Sequence, residues 1–181
     1  MKKLILSFLA IWLGLAAILP AQGQTASTTS NKEGKHKALK KLKGDDVSLQ
    51  SKTQFNIDFG NVPDVTWSRE DYYDVATFTK NGEKVKAYYD YDSQLLGTVV
   101  DKKFTDLPPK AQQYIKEKYK DYTIGDVILF TDNQANQTDM LLYGLEFVDE
   151  NNYFVELIKD NKHIILKVND AGDVSFFKEL K

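Results

Sequence analysis

The sequence contains no cysteine at all. That removes a thiol nucleophile, a disulfide framework and an acylated-cysteine membrane anchor together. Only two histidines are present, His36 and His163. A Ser-His-Asp triad would have to use one of them, and no G-x-S-x-G elbow accompanies either. There is no H-E-x-x-H, no His cluster with zinc spacing, no EF-hand loop and no glycine-rich phosphate loop. Glycines in the folded part are single and fall mostly at turns. The residue inventory therefore points to a non-catalytic protein without a metal or cofactor, held together by burial alone.

What is present begins with a graded N-terminus. Lys2 and Lys3 precede sixteen residues, Leu4 to Leu19, broken only by Ser7 and Gly14. Pro20 ends that run, and Ala21-Gln22-Gly23 places small residues at −3 and −1 of a cleavage site. This order is that of a secretory signal peptide over 1–23, and the run is short for a bilayer span of about 20 residues. The expected location is periplasmic or extracellular, with no stable membrane span after cleavage.

Residues 24–44 read as a disordered basic linker. Lys32, Lys35, Lys37, Lys40, Lys41 and Lys43 stand there against Glu33 alone. A solvated spacer is one reading; an electrostatic contact with anionic lipid or polysaccharide is the other. From Asp45 onward the balance reverses, to 16 basic and 25 acidic residues. An acidic domain is repelled by phosphate, so nucleic acid is not the expected partner.

Residues 45–181 carry an α+β pattern in two similar halves, 45–106 and 107–181. Phe55 and Phe59 share one helical face, Ser48 or Asp46 can cap such a helix, and Gly60 can end it. The stretch Phe55 to Phe59 also alternates as a strand would. Val62-Pro63 opens an extended segment through Trp67. Strands are predicted over 72–79, 85–91 and 95–100, with Asn81-Gly82 as a hairpin turn and Asp92-Ser93-Gln94 as the next turn. In the second half Pro108-Pro109 starts a helix, with Asp106 or Thr105 placed to cap it. Ala111, Ile115 and Tyr122 follow its apolar stripe. Strands are predicted over 124–131, 140–148, 153–159, 163–168 and 174–177. Tyr73-Asp74-Val75 overlays Tyr153-Phe154-Val155 and Asn81 overlays Asn161, both at a spacing of 80. Asp92 to Leu96 overlays Asp170 to Val174 at 78. The expected architecture is a tandem repeat of one helix packed on a four-stranded antiparallel sheet, although the second half reads as one strand longer than the first.

The ordered set Phe55, Phe59, Val65-Thr66-Trp67, Tyr73, Phe78, Gly82, Ala87-Tyr88-Tyr89-Asp90, Leu107-Pro108, Tyr114-Ile115, Tyr119 and Tyr122 resembles the PepSY-like, β-lactamase-inhibitor-like family of exported proteins of Bacteroidota. Ser93 and Gln94 depart from it, standing where a turn glycine is usual. The resemblance implies a tandem helix-plus-four-strand fold and carries no activity with it.

The ten tyrosines suggest where function lies. Tyr72-Tyr73 and Tyr88-Tyr89 are adjacent pairs, so one member of each faces outward from a strand. An outward row of Tyr beside Asp suits a peptide, glycan or protein surface; cross-strand aromatic pairs that only stabilise the sheet are the alternative. Tyr72, Tyr88, Asp90 and Tyr91 are the candidate binding face. The expected function is an exported binding module that presents a sheet face to a peptide, an envelope protein or an exported enzyme. The alternative is a structural or stress-related envelope protein without a specific ligand.

Overall fold

The computed structural model of the protein describes residues 37–148 and 150–180. The expected signal peptide and most of the expected basic linker lie outside the described residues.

Helix α1 spans Leu49–Phe59, and the competing strand reading of 55–59 does not hold. Ser48 Oγ accepts from the Gln50 N–H, and Gly60 ends the helix at φ 77° with its N–H on Asn56 O. One i,i+4 stripe, Phe55 and Phe59, then packs onto the sheet as a ring cluster with Trp67 and Phe78. Strands β1 (Thr66–Arg69), β2 (Asp74–Lys80), β3 (Glu83–Tyr89) and β4 (Leu95–Lys102) follow as a meander.

Helix α2 spans Pro109–Lys118, with proline in its first turn. Asp106 does not cap it. The carboxylate turns back to accept the Lys103 N–H at 2.8 Å across a short 3₁₀ turn, Phe104–Asp106. The helix also stops before Tyr122, whose ring packs edge-on against Tyr119 beyond the helix end. Ala111 and Ile115 are the buried side of α2. Strands β5 (Thr123–Asp132), β8 (Asn152–Lys159), β9 (Lys162–Asn169) and β10 (Val174–Leu180) complete the main sheet.

The predicted strand 140–148 is instead a hairpin, β6 (Met140–Leu142) and β7 (Leu145–Phe147), in a small sheet of its own. Tyr143 and Gly144 both have positive φ, 54° and 70°. That is the geometry of a two-residue turn whose twist suits a hairpin. The last strand runs three residues past its predicted end, through a bulge between Phe176 and Lys178.

The eight main strands form one antiparallel sheet in the order β1-β2-β3-β4-β5-β8-β9-β10. The halves join edge to edge, with Val100 opposite Leu129 and Lys102 opposite Val127. Residues two apart share a face. Val100 packs with the α1 cluster and Val127 with the α2 cluster, so both helices lie on the same face. At the join, a Cβ added to Gly97 would meet Thr131 O at 2.5 Å and the Phe130 ring at 2.7 Å. Overpacking of this kind costs about 1–3 kcal/mol. Gly97→Ala is therefore expected to lower the unfolding free energy by that amount, measured by urea unfolding.

The opposite face carries a second core. Val75, Tyr88, Val99, Phe130, Phe154 and Ile165 point away from the helices and are covered by Met140, Leu142 and Phe147 of the hairpin. The Leu141 N–H donates to the Tyr73 hydroxyl at 2.9 Å, fixing the hairpin to the start of β2.

Two turns, 90–94 and 169–173, share the same two backbone hydrogen bonds. Asp90 N–H donates to Gln94 O, as Asn169 N–H does to Asp173 O. Ser93 N–H donates to Asp90 O, as Gly172 N–H does to Asn169 O. Ser93 (φ 57°) and Gly172 (φ 78°) hold the same left-handed position. Lys80 pairs Glu83 as Lys159 pairs Lys162. The spacing is 79 in each case, replacing the 80 and 78 read from the sequence.

The end of the expected linker is placed rather than free. Leu39 packs on the second core, and the Leu42 N–H donates to Asp71 O at 2.8 Å. Arg69 Nη1 donates to Lys43 O at 2.7 Å. An apolar residue inside the lysine run supplies the anchor that composition alone does not reveal.

Candidate functional site

Two clefts lie beside the hairpin on the helix-free face. One, of about 250 Å³, runs between Lys84, Lys86 and Asp101 on one side and Tyr143 on the other. The second, of about 380 Å³, continues past Glu70, Asp71 and Tyr72 to Gly144. Tyr88, Leu142 and Tyr143 line both, so together they form one groove. The turn at Tyr143-Gly144 sets its wall, and alternation along β3 sets its floor. Lys84, Lys86 and Tyr88 share one face of that strand while Tyr89 turns under the helices.

The groove is apolar at its base and charged at its rim. Burial pushes the Tyr88 hydroxyl well above the usual tyrosine range, with the Glu70 charge adding to it. Burial likewise pushes Tyr143 up to about 12, with Glu156, Asp126 and Asp101 contributing. Glu70 is raised by burial, opposed by Lys86. Tyr89, on the helix side, is raised by burial and by the Asp58 carboxylate that accepts its hydroxyl at 3.1 Å. Tyr88, Tyr89 and Tyr143 are accordingly expected to stay protonated through pH 11. Ultraviolet absorbance titration at the phenolate band checks this, and phenolate absorbance still to be gained above pH 11 is the expected result.

The four residues picked out in the sequence do not gather on one open patch. Tyr88 is buried at the groove floor and Tyr72 sits half-buried on its rim. Tyr91 is exposed and lines a different cleft, of about 300 Å³, beside Asp90 and Asp92. Asp90 is buried at 3% exposure and serves the fold. Its Oδ1 accepts the Asp92 and Gln94 N–H groups, and its Oδ2 accepts from Asn136 Nδ2 and Thr138 Oγ1. An acid so fully engaged closes a turn and holds the 133–138 loop; it has no lone pair aimed at a ligand. Lys84, Lys86 and Tyr143 are among the groove residues that the sequence pattern does not single out. The only sequence signal for Tyr143 was the following glycine.

Among the described residues no group of His, Asp or Glu is arranged to hold a metal ion, and no helix is long and apolar enough to cross a membrane. His163 Nδ1 lies 2.8 Å from Glu156 Oε1 on the strand surface, and neither residue lines the clefts described above.

Fold and site together define a class: two helices on one face of a long antiparallel sheet, with the other face partly covered and grooved. Solved structures share this architecture. A BLIP-like protein from Bacteroides fragilis is 17% identical, with a TM-score of 0.57 over 74% of this chain and 86% of that one. DUF2874 family proteins from Bacteroides uniformis and Bacteroides ovatus are 15% and 17% identical, each with a TM-score of 0.58. They cover 74% and 75% of this chain and 88% of their own. The resemblance read from the aromatic pattern is met at the level of fold. No family model matches the sequence, and no curated protein does.

Proposed function

We propose that the protein is an exported, non-catalytic binding module and that the groove beside the hairpin is its recognition surface. The observation that carries this reading is the groove itself. It has a tyrosine and leucine base, with Lys84 and Lys86 facing Asp101 and Asp126 and with Glu70 and Asp71 at the far end. An aromatic base inside a mixed-charge rim is how protein interfaces are built. A peptide or an envelope protein is the partner it suits. Export rests on the N-terminal pattern, and the fold likeness to Bacteroides proteins agrees with it.

The matched turns, spaced by 79 residues, and the one helix plus four main-sheet strands of each half support a duplicated scaffold. Extending one sheet lets two small units share cores that neither could bury alone.

The alternative is a structural envelope protein without a ligand. It is favoured by the burial of Tyr73 and Tyr88, which makes much of the helix-free face a second core. The two readings part in a pull-down from envelope extract. On the binding reading a discrete protein is retained by the unaltered chain and lost, by tenfold or more, with Lys84→Glu/Lys86→Glu. Equal recovery from both chains, or none from either, returns the face to a structural role. Both lysines are exposed on β3, so the double variant should leave the thermal midpoint within about 2 °C, as surface changes do.

A further inference from the structure

The lysine-rich segment does not float free of the domain. Lys41 Nζ lies 2.9 Å from Asp71 Oδ2 and 5.6 Å from the centre of the Tyr72 ring. Lys40 Nζ stands 5.4 Å from the centre of the Tyr91 ring. Lys37 Nζ is 4.0 Å from Asp92 Oδ2, and its N–H donates to Gln137 O at 2.9 Å. Leu39 inserts between these points into the second core. Three cations thus meet two acid-plus-aromatic stations, Asp71-Tyr72 and Tyr91-Asp92, spaced along one extended chain. An aromatic face beside a carboxylate is a recurrent way to hold an ammonium group.

We propose that these two stations form a lysine-reading cradle for an extended cationic peptide, and that residues 37–43 occupy it in cis. The occupancy is light. Lys37 and Lys41 remain more than half exposed, and the backbone is tied to neighbouring segments near its ends, at Lys37 and at Leu42-Lys43. Exposed ion pairs of this kind are weak and screened by salt. Ordering the segment opposes them at every residue. A cleft of about 300 Å³ also remains between the segment and the Tyr91-Asp92 station, with Lys37 and Lys40 on one side and Tyr91 and Asp92 on the other. The acidic balance of residues 45–181 favours a cationic occupant over any other. A lysine-bearing peptide in trans, with an apolar residue between its lysines, competes for the same stations. The cradle does not depend on the groove being a binding surface; the two adjoin only at Asp71 and Tyr72.

The test uses a fluorescein-labelled peptide with the sequence of residues 35–43, titrated by anisotropy at low salt. Lys37→Gln/Lys40→Gln/Lys41→Gln removes the ammonium groups from the two stations through exposed positions. This protein is expected to bind the peptide about tenfold more tightly than the unaltered protein. Adding Asp71→Asn and Asp92→Asn should remove that gain, and a peptide with its lysines replaced by glutamine should not bind. Equal affinity in the two backgrounds, binding that survives the Asp substitutions, or no binding to either protein overturns the proposal. Lys84→Glu/Lys86→Glu should leave peptide affinity unchanged, so failure of the cradle and failure of the groove read out separately.

Discussion

Asp74→Ala is expected to destabilise the protein by about 3–5 kcal/mol, the cost of removing one partner from a buried ion pair. Asp74 is fully buried at the start of β2. Arg69 approaches it with two donors, Nε at 2.8 Å to Oδ1 and Nη2 at 2.9 Å to Oδ2. Oδ2 also accepts the Ser48 N–H and the Ser51 hydroxyl. One carboxylate thus joins the edge strand, the second strand and the first turn of α1, where the helix dipole favours a negative charge. Alanine would leave the Arg69 guanidinium and the Ser48 N–H without their acceptor. Burial pushes the Asp74 carboxyl up, but the Arg69 and serine hydrogen bonds outweigh it, and the folded value lies below the ordinary one. A depressed folded value means stability that is present above the unfolded pKa, near 3.9, and lost as pH falls through the folded value. The unaltered protein should therefore weaken below about pH 4, and Asp74→Asn should lack that part of the acid slope. Guanidinium unfolding at pH 3 and pH 7 checks both statements.

Phe147→Ala is expected to cost about 3–5 kcal/mol, in the range for a large aromatic lost from a core. Its ring meets those of Phe130, Phe154 and Phe177 at centroid distances of 5.3, 5.1 and 5.8 Å. It is the residue of β7 that reaches the sheet, since Leu145 and Glu146 are exposed. Without it, the hairpin keeps Met140, Leu142 and the Leu141–Tyr73 hydrogen bond but loses its central ring contacts. Backbone amides of 140–147 should then exchange with solvent far faster than those of β8 and β9, as seen by hydrogen–deuterium exchange. A hairpin that served only as a loop would give a loss near zero and no local change.

Much of the scaffold was legible because its signals are local. Asn81-Gly82 predicted the β2–β3 turn, and both residues hold the positive φ that this pair tolerates. Ser48, the Phe55-Phe59 stripe and Gly60 predicted α1. Tyr143-Gly144 was missed because Met140 to Val148 is nearly continuous in apolar and aromatic residues, and a lone glycine did not break the pattern. The pairing of the halves was left open, since strand alternation fixes two faces but not which edge meets which. Asp90 was read as a surface acid. Its partners Asn136 and Thr138 stand 46 and 48 residues away, and no local pattern announces them. Leu39 was hidden in the same way, by the charge of its neighbours. The candidate site was therefore half legible: the tyrosines of β3 were found, and the hairpin that turns them into a groove was not.

The groove gives the account its direct test. A photo-crosslinking residue placed at Lys86 looks into the groove, while one at Ile57, exposed on the outer side of α1, looks away from it. If the helix-free face is the working surface, illumination in envelope extract joins a discrete protein to the position-86 chain and not to the position-57 chain. Crosslinking confined to position 57, or a smear equal at both, would show that this face meets nothing of its own.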